Sequence, residues 1–179
     1  MAVGVRNYLI EGLSGAGKTA VAEELERRGR HVVHGDRELA YHGDPDTGEP
    51  WTVPAGAHGP DAVSRRHRGW IWNVDRVRSL IADRSRPETF LCGGSRNHSR
   101  YIHLFDRVFV LDVDLDTLKR RVAGRTDDEF GARPAEWELL AGLHATKEDM
   151  PKGATIIDGA RPVARVVDEI LSLCAASKG

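Results

Sequence analysis

The chain has 179 residues, enough for one domain with a substantial core and too few for two comfortable ones. Hydrophobic residues make up 40% and charged residues 30%, and the formal net charge is −1. No global field therefore draws the chain to a nucleic acid polymer or to an anionic membrane.

In chain order, Arg6–Glu11 reads as a first strand. Lys18 to Arg28 carries Ala20, Val21 and Leu25 among alternating charges, a helix stopped by Gly29. His31–His34 is a second short strand. The stretch from Gly35 to Gly69 is dense in proline and glycine, with turn signals at residues 44–48 and 53–56. A helix over about Asp75 to Ala82 places Val74, Val77, Leu80 and Ile81 on one face. Thr89–Cys92 is a third strand ending on Gly93-Gly94, and the continuous apolar run Val108–Leu111 suits a strand covered on both faces. Asp114 stands where a helix N-cap belongs, ahead of Leu115, Leu118 and Val122. Pro134 to Ala145 is a further helix with proline in its first turn. Thr155–Ile157 is a fifth strand, and Val163 to Leu173 a closing helix. Strands alternating with helices imply an α/β domain with a mostly parallel sheet, and no repeat or linker divides residues 1–179.

The two cysteines, Cys92 and Cys174, lie far apart in no metal-like or redox-like spacing, which argues for a reducing compartment. The apolar N-terminal stretch is soon broken by glycines and Lys18, so neither a signal peptide nor a membrane span is expected there. The expected location is the cytoplasm.

Gly12-Leu13-Ser14-Gly15-Ala16-Gly17-Lys18-Thr19 fits G-x-x-x-x-G-K-[ST] at every required position, between a predicted strand and a predicted helix. Glycines let successive N–H groups turn inward on phosphate oxygens, and the helix N-terminus adds partial positive charge. Lys18 can reach β- and γ-phosphates, and the Thr19 hydroxyl can ligate Mg²⁺. ATP is the expected nucleotide.

With this loop, its element order and the arginines after the fourth strand, the sequence resembles the nucleoside- and nucleotide-kinase branch of P-loop proteins, which includes shikimate and gluconate kinases. The resemblance implies a three-layer α/β/α P-loop fold with five parallel strands ordered 2-3-1-4-5. It also implies an acceptor-binding segment near residues 35–72 and a lid near 126–135. Asp36 follows the second strand and would emerge beside the P-loop mouth, able to take a proton from an acceptor hydroxyl or to hold a water on Mg²⁺. Toward a phosphate acceptor it would only bind. A turn-forming role after Gly35 explains it equally well, and Glu38 is a more distant substitute.

Arg121 and Arg125 form R-x-x-x-R at helical spacing, so both guanidiniums are expected to meet one anion, closing over the phosphates with a polar lid that ends at Gly131. Arg96 and Asn97, after the third strand, are expected to bind the acceptor. Arg161 and Pro162, after the fifth, are expected to contact adenine, although proline there also suits a helix start. The implied function is ATP-dependent phosphorylation of a small molecule, foremost a nucleoside or nucleoside monophosphate. The alternatives are a non-nucleotide metabolite such as a sugar acid or cyclic polyol, and an ATP-binding regulatory module without transfer. A small-molecule acceptor is the expected partner, with homodimerisation left open.

Other features carry less. Leu111-Asp112 has the form of an ATPase strand ending, but Val113 replaces the catalytic glutamate, and no guanine-reading motif is present. The eight histidines show no zinc spacing. Trp51, Trp70 and Trp72 suit either stacking on a base or core filling. Arg65-Arg66-His67-Arg68 suits an anionic acceptor or a solvated face.

Overall fold

The computed structural model describes residues 5–126 and 128–176. The apolar runs of β1 (Arg6–Gly12), β5 (Glu88–Cys92) and β6 (Arg107–Asp112) are buried on both faces and make the centre of a five-stranded sheet. β2 (Val32–His34) and β7 (Thr155–Asp158) form its edges, giving the order β2-β5-β1-β6-β7 with every pairing parallel. Counting only strands of this sheet, that is the expected 2-3-1-4-5.

Alternation along the strands sends residues to opposite layers. Tyr8, Ile10, Phe90 and Phe109 pack against Val21 and Leu25 of α1 (Lys18–Arg27) and against Val166, Val167 and Ile170 of α7 (Val163–Ala176). On the other face Leu9, Val33 and Leu91 meet Val77 of α4 (Val74–Ala82), together with Trp72 and Tyr101. Each such side chain contributes roughly 1.5–3 kcal/mol by leaving water. Both cysteines are buried. Asp114 caps α5 (Leu115–Ala123) as expected, its carboxylate accepting from Thr117 N at 2.8 Å. The cap of α4 is Asn73, which starts that helix at Val74.

The largest departure lies between Gly35 and Gly69. Where the sequence shows only turns, the chain forms a short α2 (Gly35–Glu38), β3 (Ala40–His42) and α3 (Pro60–Arg68), followed by β4 (Trp70–Trp72). β3 and β4 pair antiparallel as a small second sheet. Three-residue strands are too short to display a period, and α3 buries only Val63, so neither announces itself. The basic run Arg65–Arg68 is the last turn of α3.

Parallel pairing brings the C-terminal ends of β1, β5, β6 and β7 to one edge: Ile10 lies opposite Cys92, Gly12 opposite Leu111, and Asp112 opposite Asp158. The P-loop, the Gly93–Asn97 turn and the Gly159 turn all leave from that edge, where ligands of open α/β sheets bind. Past α5 the chain turns back and enters α6 (Pro134–Thr146). Among the described residues no helix is long and apolar enough to cross a membrane.

Candidate active site

A cleft of about 430 Å³ opens at this edge, lined by the P-loop, Asp36, Trp70 and Arg96, and by residues around α6. At its base the chain reverses at Gly17, whose φ of 107° lies in the left-handed region, and enters α1 with no side-chain cap and no acid in the first turn. The helix N–H groups and their partial positive charge are therefore free for an anion. Lys18 Nζ donates to the carbonyls of Gly12 at 2.5 Å and Leu13 at 3.0 Å. Desolvation lowers the Lys18 pKa, with Asp36 and Glu11 pulling it back up. A cation held this way gains from any anion delivered to it. Thr19 is exposed at the second position of α1.

Asp36 sits beside this cradle in a bracket of donors. Its Oδ1 accepts from Trp70 Nε1 at 3.3 Å, Trp72 Nε1 at 3.3 Å and Gly94 N at 3.2 Å. Gly93 makes the approach possible: with φ at 148°, a Cβ there would meet Asp36 Oδ1 at 2.8 Å and the Trp72 ring at 2.6 Å. The carboxylate is therefore oriented by packing and does more than form a turn. Glu38 is used elsewhere, accepting from His34 N.

The indoles do not form a stacking platform. Trp72 is fully buried and stacks on Tyr101 at 5.8 Å and 4°. Trp51 lies under the Arg65 guanidinium, 5.2 Å from ring centroid to Arg65 Cζ. Of the three, Trp70 alone lines the cleft.

Arg96 reaches the cleft, but Asn97 does not. Asn97 is 1% exposed; its Oδ1 accepts from Trp72 N and the Ser95 hydroxyl, and its Nδ2 donates to Trp72 O. With its amide spent on pinning β4, Asn97 is a structural residue and the acceptor-binding expectation for it is corrected. Arg96 Nη1 pairs with Asp149 Oδ2 at 2.5 Å, and the same oxygen lies 2.6 Å from His67 Nε2. Desolvation pushes the Asp149 carboxyl up, but the His67 hydrogen bond and the charge of Arg96 outweigh it and hold it below its ordinary value.

Arg121 and Arg125 both reach the P-loop, though not one shared point. Helix α5 ends at Ala123, so Arg125 leaves the helical repeat. Arg125 Nη1 donates to Ser14 Oγ at 2.7 Å and to the Phe130 carbonyl. Arg121 instead donates to the carbonyls of Ala16 at 3.0 Å and Gly159 at 2.7 Å, behind the loop. The expected lid residue Asp127 lies outside the described residues. Its neighbours are less free than their polarity implies: Phe130 stacks on His67 of α3 at 6.1 Å, and Gly131 N donates to Glu136 at 2.9 Å. Phe130 and Asp128 line the cleft.

Arg161 turns away from it. Its guanidinium pairs with Glu169 of the following helix, and Pro162 supplies the carbonyl that starts α7, accepting from Arg165 N and Val166 N. The residue of that turn nearest the P-loop is Gly159, whose place a Cβ would bring within 2.8 Å of Ala16 O. Asp112 is engaged by Lys147 Nζ at 2.8 Å, which removes its ATPase-like appearance. Among the described residues no group of three His, Cys, Asp or Glu is placed to hold a metal.

Sequence reasoning missed Glu11 and Asp149, and it read His67 only as part of the basic run 65–68. A glutamate inside a buried strand was itself the signal for Glu11, since unpaired buried acids are rare. It is 2% exposed and lines the cleft, and its Oε1 has no hydrogen-bond partner among the described residues, with His98 Nδ1 3.9 Å away. Desolvation raises its pKa to about 7 against the charges of Arg96 and Lys18. Between about 4.5 and about 7 the native state thus binds the proton that the unfolded chain releases. This contribution to stability is fully present at low pH and is lost as pH rises through 7, amounting to about 3 kcal/mol. Glu11→Gln is expected to flatten that loss. Urea midpoints of the two proteins should converge toward low pH and diverge, with the variant higher, above neutrality; parallel curves would contradict this account.

The fold has many relatives at low identity. A shikimate kinase from Acinetobacter baumannii, solved with shikimate, superposes with a TM-score of 0.63 at 19% identity, covering 98% of this chain and 96% of its own. A gluconokinase from Sinorhizobium meliloti 1021 gives 0.55 at 20% identity, covering 96% and 92%. A deoxyadenosine kinase from M. mycoides with bound dATP gives 0.51 at 13% identity, covering 94% and 98%. No curated protein sequence matches the chain. A family model described as an AAA domain matches residues 9–136, from the first strand through the P-loop to the start of α6. The chain belongs to this AAA domain family of P-loop proteins, in the fold of the small-molecule kinases.

Proposed function

We propose that this protein transfers the γ-phosphoryl group of ATP to a hydroxyl of a small molecule. The observation that carries the reading is the bracketed Asp36 beside Lys18. Three donors fix Oδ1, and no described donor addresses Oδ2, which leaves that oxygen for an acceptor hydroxyl. The hydroxyl oxygen forms the new bond to phosphorus as the bond to ADP breaks, and its proton passes to Asp36. Lys18 and the N-terminus of α1 take up charge on the transferring group. Asp36 as base favours a hydroxyl over a phosphate acceptor, and the dispersal of the tryptophans removes the stacking argument for a nucleobase.

The donor set fits Mg²⁺. Thr19 and, through water, Asp36 are hard oxygen donors, and Mg²⁺ needs few protein ligands because it keeps waters and phosphates. Bound there, it would supply charge neutralisation on the phosphates.

Screening nucleosides, sugars, polyols and hydroxy acids for acceptor-dependent ADP release tests the reading. ATP binding without stimulation by any acceptor would leave a regulatory module instead. Arg125 provides a second check. Because its guanidinium joins Ser14 of the P-loop to the Phe130 carbonyl of the cleft-lining segment, Arg125→Ala is expected to lower kcat by about 10–100-fold and to change ATP affinity by much less. An effect confined to ATP affinity would return Arg125 to a binding role.

A further inference from the structure

The cations at the cleft divide into two sets. At the P-loop, Lys18 in the cleft lining and Arg121 and Arg125 outside it spend their hydrogen bonds on backbone carbonyls and one hydroxyl, and the lining Lys147 is paired with Asp112. On the acceptor side, both arginines are already matched by carboxylates. Arg96 pairs with Asp149 at 2.5 Å, and Arg66 stands 3.9 Å from Glu136 while donating to Ala57 O at 2.9 Å. These pairs are well shielded: the side chains of Arg96 and Asp149 are 15% and 19% exposed, and that of Glu136 is 5% exposed.

An anionic acceptor group would have to displace Asp149 from Arg96, or Glu136 from Arg66. Either step takes the arginine from a shielded carboxylate, leaving Asp149 with His67 or Glu136 with backbone N–H groups beside the newcomer's like charge, and breaking such a pair costs far more than an exposed one returns. The unmet groups are of the opposite kind. The described hydrogen bonds to Asp36 all go to Oδ1, the buried Glu11 Oε1 has no hydrogen-bond partner among the described residues and stands 3.9 Å from His98 Nδ1, and both residues line the cleft. Hydroxyl groups are the donors that satisfy two such oxygens without adding charge.

We infer that the acceptor is an uncharged polyhydroxyl molecule, with one hydroxyl on Asp36 and a neighbouring one on Glu11, and that the Arg96–Asp149 pair excludes acceptors bearing a carboxylate or a phosphate. This rests on the phosphotransfer reading above and narrows it. Specificity here is built from a repulsive element: Asp149 already fills the position an anion would take.

Matched acceptor pairs test it: glucose against gluconate, myo-inositol against inositol monophosphate, adenosine against AMP, each assayed for ADP release with ATP and Mg²⁺. In any pair that reacts, kcat/KM for the uncharged member is expected to exceed that of the anion by at least about 10-fold, the factor a stranded ion commands. Asp149→Asn keeps the shape and frees Arg96, and is expected to shift that ratio toward the anion by a similar factor. Preference for the anion by the unaltered protein overturns the inference even if Asp149→Asn fails to fold. A ratio unmoved in a folded Asp149→Asn protein overturns the role of the ion pair. ADP release with no acceptor at all, while calorimetry still shows ATP bound, instead sinks the phosphotransfer reading and this inference with it.

Discussion

Lys18→Ala is expected to lower the phosphotransfer rate by about 10²–10³-fold or more while leaving the fold intact, the cost of removing a preorganised charge from a developing anion. The two halves of that expectation have separate physical origins. The rate falls because Lys18 is the cleft-lining cation on the P-loop with no carboxylate partner, held by the Gly12 and Leu13 carbonyls until phosphate oxygens replace them. The fold survives because burying this ammonium is itself unfavourable, as its lowered pKa records. Alanine relieves that desolvation and returns two carbonyls to water, so the melting temperature should stay level or rise. A site that costs stability in order to meet its ligand is the usual place for such a trade. Steady-state ADP release and thermal melts on the same samples check both halves. A folded Lys18→Ala protein with near-normal turnover would remove the P-loop from catalysis.

The features legible in the sequence were those set by local chemistry. The P-loop is read directly because its spacing is its mechanism, and Asp114 is read as a cap because capping needs only its own side chain and the next turn. The sheet order came with the family resemblance. Asp36 could be placed at the strand end, but not its bracket: Trp70, Trp72 and Gly94 converge on it from 34, 36 and 58 residues away. Asp149 was invisible for the same reason. It meets His67 across 82 residues, and nothing near it in the chain distinguishes it from a solvated acid. Arg121 and Arg125 show a subtler limit. Helical spacing predicts a shared face only while the helix lasts, and Gly124 ends it between them. Asn97 misled because a polar residue in a glycine-rich turn looks available, whereas β4 had already claimed its amide.

Asp36→Asn is expected to lower kcat by about 10²–10⁴-fold with little change in ATP affinity, the range over which a positioned base acts. The substitution is informative because of how the carboxylate is held. The asparagine carbonyl can still accept from Trp70, Trp72 and Gly94, so the bracket and the β4 tryptophans keep their partners. What changes is the other atom: an acceptor of protons becomes an amide donor, which faces the acceptor hydroxyl with the wrong polarity and cannot take its proton. Asp36→Ala differs, since it also strips the indole N–H groups of Trp70 and Trp72 of their acceptor. Its cost in stability should be about 1–3 kcal/mol greater than that of Asp36→Asn, a difference thermal or urea unfolding can resolve. The pair of variants therefore separates the chemical role from the structural one. If Asp36→Asn turned over at near the unaltered rate while Asp36→Ala was unstable, Asp36 would be a bracket for the tryptophans and the base would have to be sought elsewhere. Among the described residues the buried Glu11, whose charge acts on Lys18 as that of Asp36 does, would then be the next carboxylate to test, and Glu11→Gln would become the deciding variant.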